Sequence, residues 1–303
     1  MHPAPSMIVF TVLSGLGLGM IAWIGLGMGS DSHLFGWVAG PLSIAIAGLG
    51  GIASVGHLGR PDRAWRAFSQ WRSSWLSREA CLMIITIAVF VVYLALWLLL
   101  DVRVTVLGWI TAALAMATVF ATAMIYNQLR TIPRWSATPT PHLFLVVSLA
   151  GGLLAGSAVK AVLGQDVPTF YVLVWQLVAA GVAVWWQTQA AGARRGFHGS
   201  SAETATGLAG LGRVRLLEPP HTGSNYLLKE MAFKVGRARA FQLRWLGAFL
   251  GLILPLVLIL AALGLGGWVL ILAVICHVAG MLALRWLFFA EAEHVQALYY
   301  GER

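Results

Sequence analysis

Apolar residues form eight long stretches, at about residues 6–28, 35–56, 78–100, 104–126, 141–163, 169–190, 243–264 and 267–289. Each approaches or exceeds the roughly 20 residues that a helix needs to cross a bilayer's hydrocarbon core. Charged or turn-rich segments separate them. The pattern predicts an all-α integral membrane protein: one membrane domain over residues 1–303, built as an eight-transmembrane-helix bundle. The first stretch is too long for a signal-peptide core and has no basic residues before it, so it reads as a retained span. The second contains GLGGIASVGHLG, whose glycines would let another helix approach closely. Only the connection 191–242 is long enough to carry structure of its own. Its first half is small and polar. In its second half Leu227, Leu228, Met231, Phe233 and Val235 alternate at helical spacing with Lys229, Lys234, Arg237 and Arg239. That half reads either as a basic amphipathic helix on the membrane surface or as a docking surface for a soluble partner.

Composition narrows the class. The chain is 59% hydrophobic and 10% charged with a mean hydropathy of +0.81, which excludes a soluble enzyme. Its net charge of +9 does not indicate a nucleic-acid partner, because the basic residues lie in loops between apolar runs rather than on one face of a folded domain. An even number of spans puts both termini on one side. That side carries seventeen of the twenty Lys and Arg residues, the other has Arg103 and Lys160, and Arg285 lies inside the last span. By the positive-inside rule, both termini and the loop 191–242 are expected in the cytoplasm.

The carboxylates limit the chemistry. Ten of eleven fall in loops or tails, Glu291 among them, and only Glu79 stands at the mouth of a span. The absence of a mid-span carboxylate disfavours an ion-coupled transporter of small solutes. Polar residues instead concentrate in VGHLGRPDRAWRAFSQWRSSWLSREACLM, which joins the second span to the third. His57 and Glu79 lie at its two ends and can converge at one interfacial pocket. Such a pair suits a quinone, which needs a hydrogen-bond partner for each carbonyl and a proton for each oxygen on reduction. The plainer alternative is that His57 caps the second helix and Glu79 pairs with an arginine. Tyr126 and Asn127, in a Pro-rich turn at the same face, could reach that pocket or simply form the turn. No metal is expected to be bound by this chain. A haem would need two facing axial ligands, and His277 is the one mid-span candidate, read instead as a buried hydrogen-bonding histidine. Cys81 and Cys276 read as small apolar core residues.

The motifs HLGRPDRAW, WLSREA, IPRW and NYLLKEM, set among eight spans, resemble the membrane anchor subunits of the dimethyl sulfoxide reductase family. The resemblance covers nearly the whole chain. It implies partners: a ferredoxin-like iron–sulfur subunit and a molybdopterin catalytic subunit, which carry the clusters and the molybdopterin. It also implies electron exchange with a quinone, ubiquinone or menaquinone, at His57 and Glu79, with Arg60 and Tyr126 beside them. Arg63, Arg66, Arg72, Arg78, Lys229 and Arg237 are expected to meet an acidic partner face or anionic lipid. With the partners on the cytoplasmic side of a bacterial inner membrane, the chain is most similar to the sulfite-oxidising anchors of this family. A quinol-oxidising anchor of a dimethyl sulfoxide-type reductase would carry the same motifs.

Overall fold

The computed structural model describes residues 4–56, 58–196, 202–208, 210–212, 214, 217–218 and 239–295. The eight expected spans are eight long apolar helices: α1 Pro5–Gly25, α2 His33–Val55, α3 Trp75–Leu100, α4 Thr105–Asn127, α5 Thr140–Val162, α6 Thr169–Gly196, α7 Ala240–Leu265 and α8 Val269–Ala290. A 3-10 segment, Pro61–Phe68, lies between α2 and α3, and a short helix, Ala202–Thr206, follows α6. No strand occurs among the described residues. Much of the basic segment expected to be amphipathic, including Lys229 and Arg237, lies outside them, as does His57.

The most buried helix is α1, with α2, α4, α5 and α8 packed around it. Its glycines make this possible, because helix association in lipid depends on close packing rather than on a hydrophobic force. A methyl group on Gly19 would sit on the Ser148 carbonyl of α5, and one on Gly25 would meet the Gly108 carbonyl of α4. The seam therefore lies mainly in α1. In the glycine-rich end of α2, Gly50 packs on the Ser14 backbone of α1, whereas Gly48 and Gly51 face open space. Helix α3 packs on α4, and α6 and α7 flank α5 and α8.

Connections at the two ends differ in character. At the end reached by the α2–α3 connection, α3 starts at Ser74, whose hydroxyl accepts from the Ser77 N–H, and Ser77 in turn donates to the Ala67 carbonyl of the 3-10 segment. Arg78 fastens the same loop, donating to the carbonyls of Trp71 (3.0 Å) and Arg72 (2.7 Å) while lying over the Trp75 ring. At the opposite end short side-chain links suffice: His33 with Asp101 at 3.0 Å, Gln165 to Ser32 at 2.6 Å, and Arg103 to the Tyr93 hydroxyl at 3.3 Å.

Helix α7 is not regular. A single π-turn, Phe249–Ile253, interrupts it just before Pro255. Proline has no N–H for the carbonyl four residues back, which is Gly251, and a bare carbonyl in the membrane interior is costly. His277 of α8 fills the gap, with Nδ1 at 2.8 Å from the Gly251 oxygen. Since a carbonyl only accepts, Nδ1 carries the proton. Gly280 of α8 lies against the Gly251 backbone, which brings the two helices close enough for that bond.

Candidate functional site

Glu79 lies four residues into α3, about 6 Å along the helix at 1.5 Å per residue. It is buried, with 4% exposure, and accepts a hydrogen bond from Thr122 of α4. Burying a carboxyl inside a span is costly, and an interhelical hydrogen bond in a membrane returns only on the order of 0.6 kcal/mol. Glu79 is therefore not explained by its contribution to stability. The plainer expectation, a carboxylate paired with an arginine, does not describe it: among the described residues Thr122 is its hydrogen-bond partner and no arginine is within ion-pair distance. Hydroxyls continue inward from it. Thr122 also donates to the Thr118 carbonyl at 3.1 Å, and Thr118 and Thr86 pair through their hydroxyls at 3.0 Å.

Tyr126, one turn beyond Thr122, occupies the centre of an aromatic cluster. Its ring lies 5.3–5.8 Å from those of Trp135, Phe144, Phe288 and Phe289. Its hydroxyl is buried without a hydrogen-bond partner among the described residues, although Glu79 and Arg285 are both within its electrostatic reach. An orphaned donor near a buried carboxyl fits a ligand carbonyl. Asn127 belongs to the turn instead, donating to the Ala137 carbonyl at 3.0 Å.

Of the other expected site residues, Arg60, Arg63, Arg66 and Arg72 are exposed on or beside the 3-10 segment, together with Trp65 and Trp71. Arg78 is occupied by the loop carbonyls. The structure thus buries Glu79 and Tyr126 within electrostatic reach of each other and leaves Arg60 on the surface. Whether His57 joins them lies outside the described residues. His277 is buried, with its Nε2 close against Gly151 of α5, and the cavity that it lines is about 20 Å³. That space is far too small for a porphyrin, so the surroundings do not fit a haem.

Sequence reasoning missed one cluster. Glu291, read as a tail residue, is buried at the C-terminal end of α8. It receives Arg134 from the α4–α5 connection and Arg244 from α7, both at 2.6 Å. Carboxylates are disfavoured at the negative end of a helix dipole, and two guanidinium groups offset this. Arg134 also donates to Gln187 of α6 at 3.2 Å and lies over Trp186. The available sequence signal was IPRW, an arginine fixed in a Pro-containing turn beside an aromatic residue. Next to this cluster, α5, α6, α7 and α8 enclose a mainly apolar cavity of about 240 Å³. Arg285 lines its inner wall, stacked 3.7 Å from the Phe144 ring centroid.

Comparison with known proteins agrees with this architecture. The family described as DMSO reductase anchor subunit (DmsC) matches residues 1–201. The C subunit of the sulfite dehydrogenase of Allochromatium vinosum is 34% identical over 329 aligned positions, covering 99% of each protein. The YnfH chain of an anaerobic dimethyl sulfoxide reductase of Escherichia coli is 32% identical over 59% of this protein and 66% of its own length. A further anaerobic dimethyl sulfoxide reductase of the same organism has a C chain that is 31% identical over 45% of this protein and 50% of its own length. The protein is a multi-pass membrane protein of the DMSO reductase anchor subunit family, whose relatives are subunits of oxidoreductase complexes.

Proposed function

We propose that this chain is the quinone-reactive anchor of a molybdopterin oxidoreductase that oxidises sulfite. Full-length similarity to a sulfite dehydrogenase subunit supports the substrate, and the buried Glu79 with its hydroxyl partner is the observation that carries the quinone site. A catalytic partner converts sulfite and water to sulfate, two protons and two electrons. A ferredoxin-like partner relays the electrons, and at this chain a quinone, ubiquinone or menaquinone, takes two electrons and two protons to become quinol. In this reading the Glu79 carboxyl delivers a proton to one quinone oxygen, Thr122 holds that carboxyl in place, and the Tyr126 hydroxyl donates to a quinone carbonyl. His57, 22 residues before Glu79 and at the other end of the same connection, serves the second oxygen. The exposed Arg60, Arg63, Arg66 and Arg72 attract the acidic face of the iron–sulfur partner, which docks on the cytoplasmic side of a bacterial inner membrane beside both termini.

Glu79→Gln in the purified complex tests the reading. The expected result is a loss of sulfite-dependent quinone reduction of at least about 100-fold, the scale of a removed proton donor. Sulfite oxidation with a soluble dye, and assembly, should be unchanged. Equal loss of both activities, or loss of assembly, would sink it. The two dimethyl sulfoxide reductase relatives favour a second reading, quinol oxidation feeding a reductase. Quinol-dependent reduction of dimethyl sulfoxide without sulfite activity would establish that direction.

A further inference from the structure

The cavity between α5, α6, α7 and α8 combines features that the electron-transfer reading does not use. Its walls are largely apolar, contributed among others by Leu143, Val147, Val184 and Leu252. Val184 and Trp245 on its rim are strongly exposed on the outer surface of the bundle, where lipid lies. Charge is concentrated at one end, in three guanidinium groups, Arg134, Arg244 and Arg285, against one carboxylate, Glu291.

Arg285 is the decisive residue. It is nine-tenths buried and lines the cavity, and among the described residues its guanidinium makes no ion pair or hydrogen bond, only cation–π contacts with Phe144 and Phe288. A membrane-buried cation without a counter-anion is costly, and ring contacts offset only part of that cost. An anion with an apolar tail satisfies both halves of the cavity at once.

We propose that this cavity is a binding site for one anionic phospholipid. Its phosphate is held by Arg285, with Arg244 and Arg134 beside it, and one acyl chain fills the apolar space between α6 and α7. The tail distinguishes the occupant from a free anion, and the charge distinguishes it from a neutral quinone, which would leave Arg285 without a counter-charge. Glu79 and Tyr126 do not line this cavity. The site adjoins the proposed quinone site, with Phe288 packed between the cavity and Tyr126, but its argument rests on Arg285 and does not depend on that reading.

The test uses the whole complex, washed in detergent until bulk lipid is removed. It is then titrated with phosphatidylglycerol or phosphatidylcholine, and bound lipid is counted by native mass spectrometry. One phosphatidylglycerol per anchor subunit is expected, with phosphatidylcholine at least about tenfold weaker and Arg285→Gln weakening phosphatidylglycerol by about tenfold, the scale of one charge-assisted contact. Ala183→Phe, which fills the cavity and leaves every arginine in place, is expected to block binding as well. If Arg285→Gln does not assemble, Ala183→Phe decides. Equal binding of the two lipids, or binding unchanged by Ala183→Phe, would overturn the proposal. So would a retained quinone that Ala183→Phe displaces, which would assign the cavity to the quinone instead.

Discussion

Glu291 illustrates how much a single residue can determine when it is buried and doubly paired. Replacing it with Gln removes the carboxylate charge that Arg134 and Arg244 each approach at 2.6 Å. Breaking one partner out of a buried ion pair costs about 3–5 kcal/mol. Arg244 is one-third exposed, so the lower end of that range is expected. Thermal unfolding in detergent checks it, and an unchanged midpoint for Glu291→Gln would mean that the cluster is not structural. His277 gives a second prediction at this scale. His277→Leu removes the proton donor from the Gly251 carbonyl and should destabilise by about 1–3 kcal/mol. Adding Pro255→Ala supplies a backbone N–H to the same carbonyl and should recover part of that loss. No recovery in the double variant would show that the histidine acts some other way.

At the scale of elements, the eight helices were legible because lipid imposes length and apolarity on any span, and both can be read directly from residue order. The burial of Glu79 was legible for a related reason: a carboxylate at the mouth of an apolar run stands out. Glu291 did not, because it follows the last apolar run, and its partner Arg134 is 157 residues away. The buried hydroxyls were equally silent, since threonines in spans commonly bond to their own helix, as Thr118 also does to Leu114 at 2.9 Å. The glycines were legible as close-approach residues but not in their allocation, because GLGLG in α1 and GLGG in α2 look alike without knowing which helix is central. Gly19→Val tests that allocation. Its side chain would be driven into the α5 backbone at Ser148, and a loss of folded protein is expected, whereas Gly51→Val, facing open space, should be tolerated.

For the whole molecule, the distribution of charge sets an expectation about sides. A cysteine placed at Ser69, beside the exposed arginines, should react with an impermeant maleimide only from the cytoplasm, and one at Val102 only from the opposite side. The reverse pattern would move the docking face to the other compartment. The hydroxyl line that starts at Glu79 has its own consequence at this scale. It runs through Thr122 to the Thr118–Thr86 pair, about 16 Å from the start of α3, and stops near mid-membrane. The next hydroxyl along α4 is Thr111, about 10 Å further, and it is already bonded to the Leu107 carbonyl at 2.8 Å. Among the described residues of α3 and α4, a proton entering beside Glu79 has no continuous hydroxyl line to follow to the far surface. A membrane voltage does work only on charge that crosses, about 2.3 kcal/mol per charge per 100 mV. Turnover at this site should therefore be electrically silent, and in sealed vesicles its rate should not change when an uncoupler collapses the membrane potential.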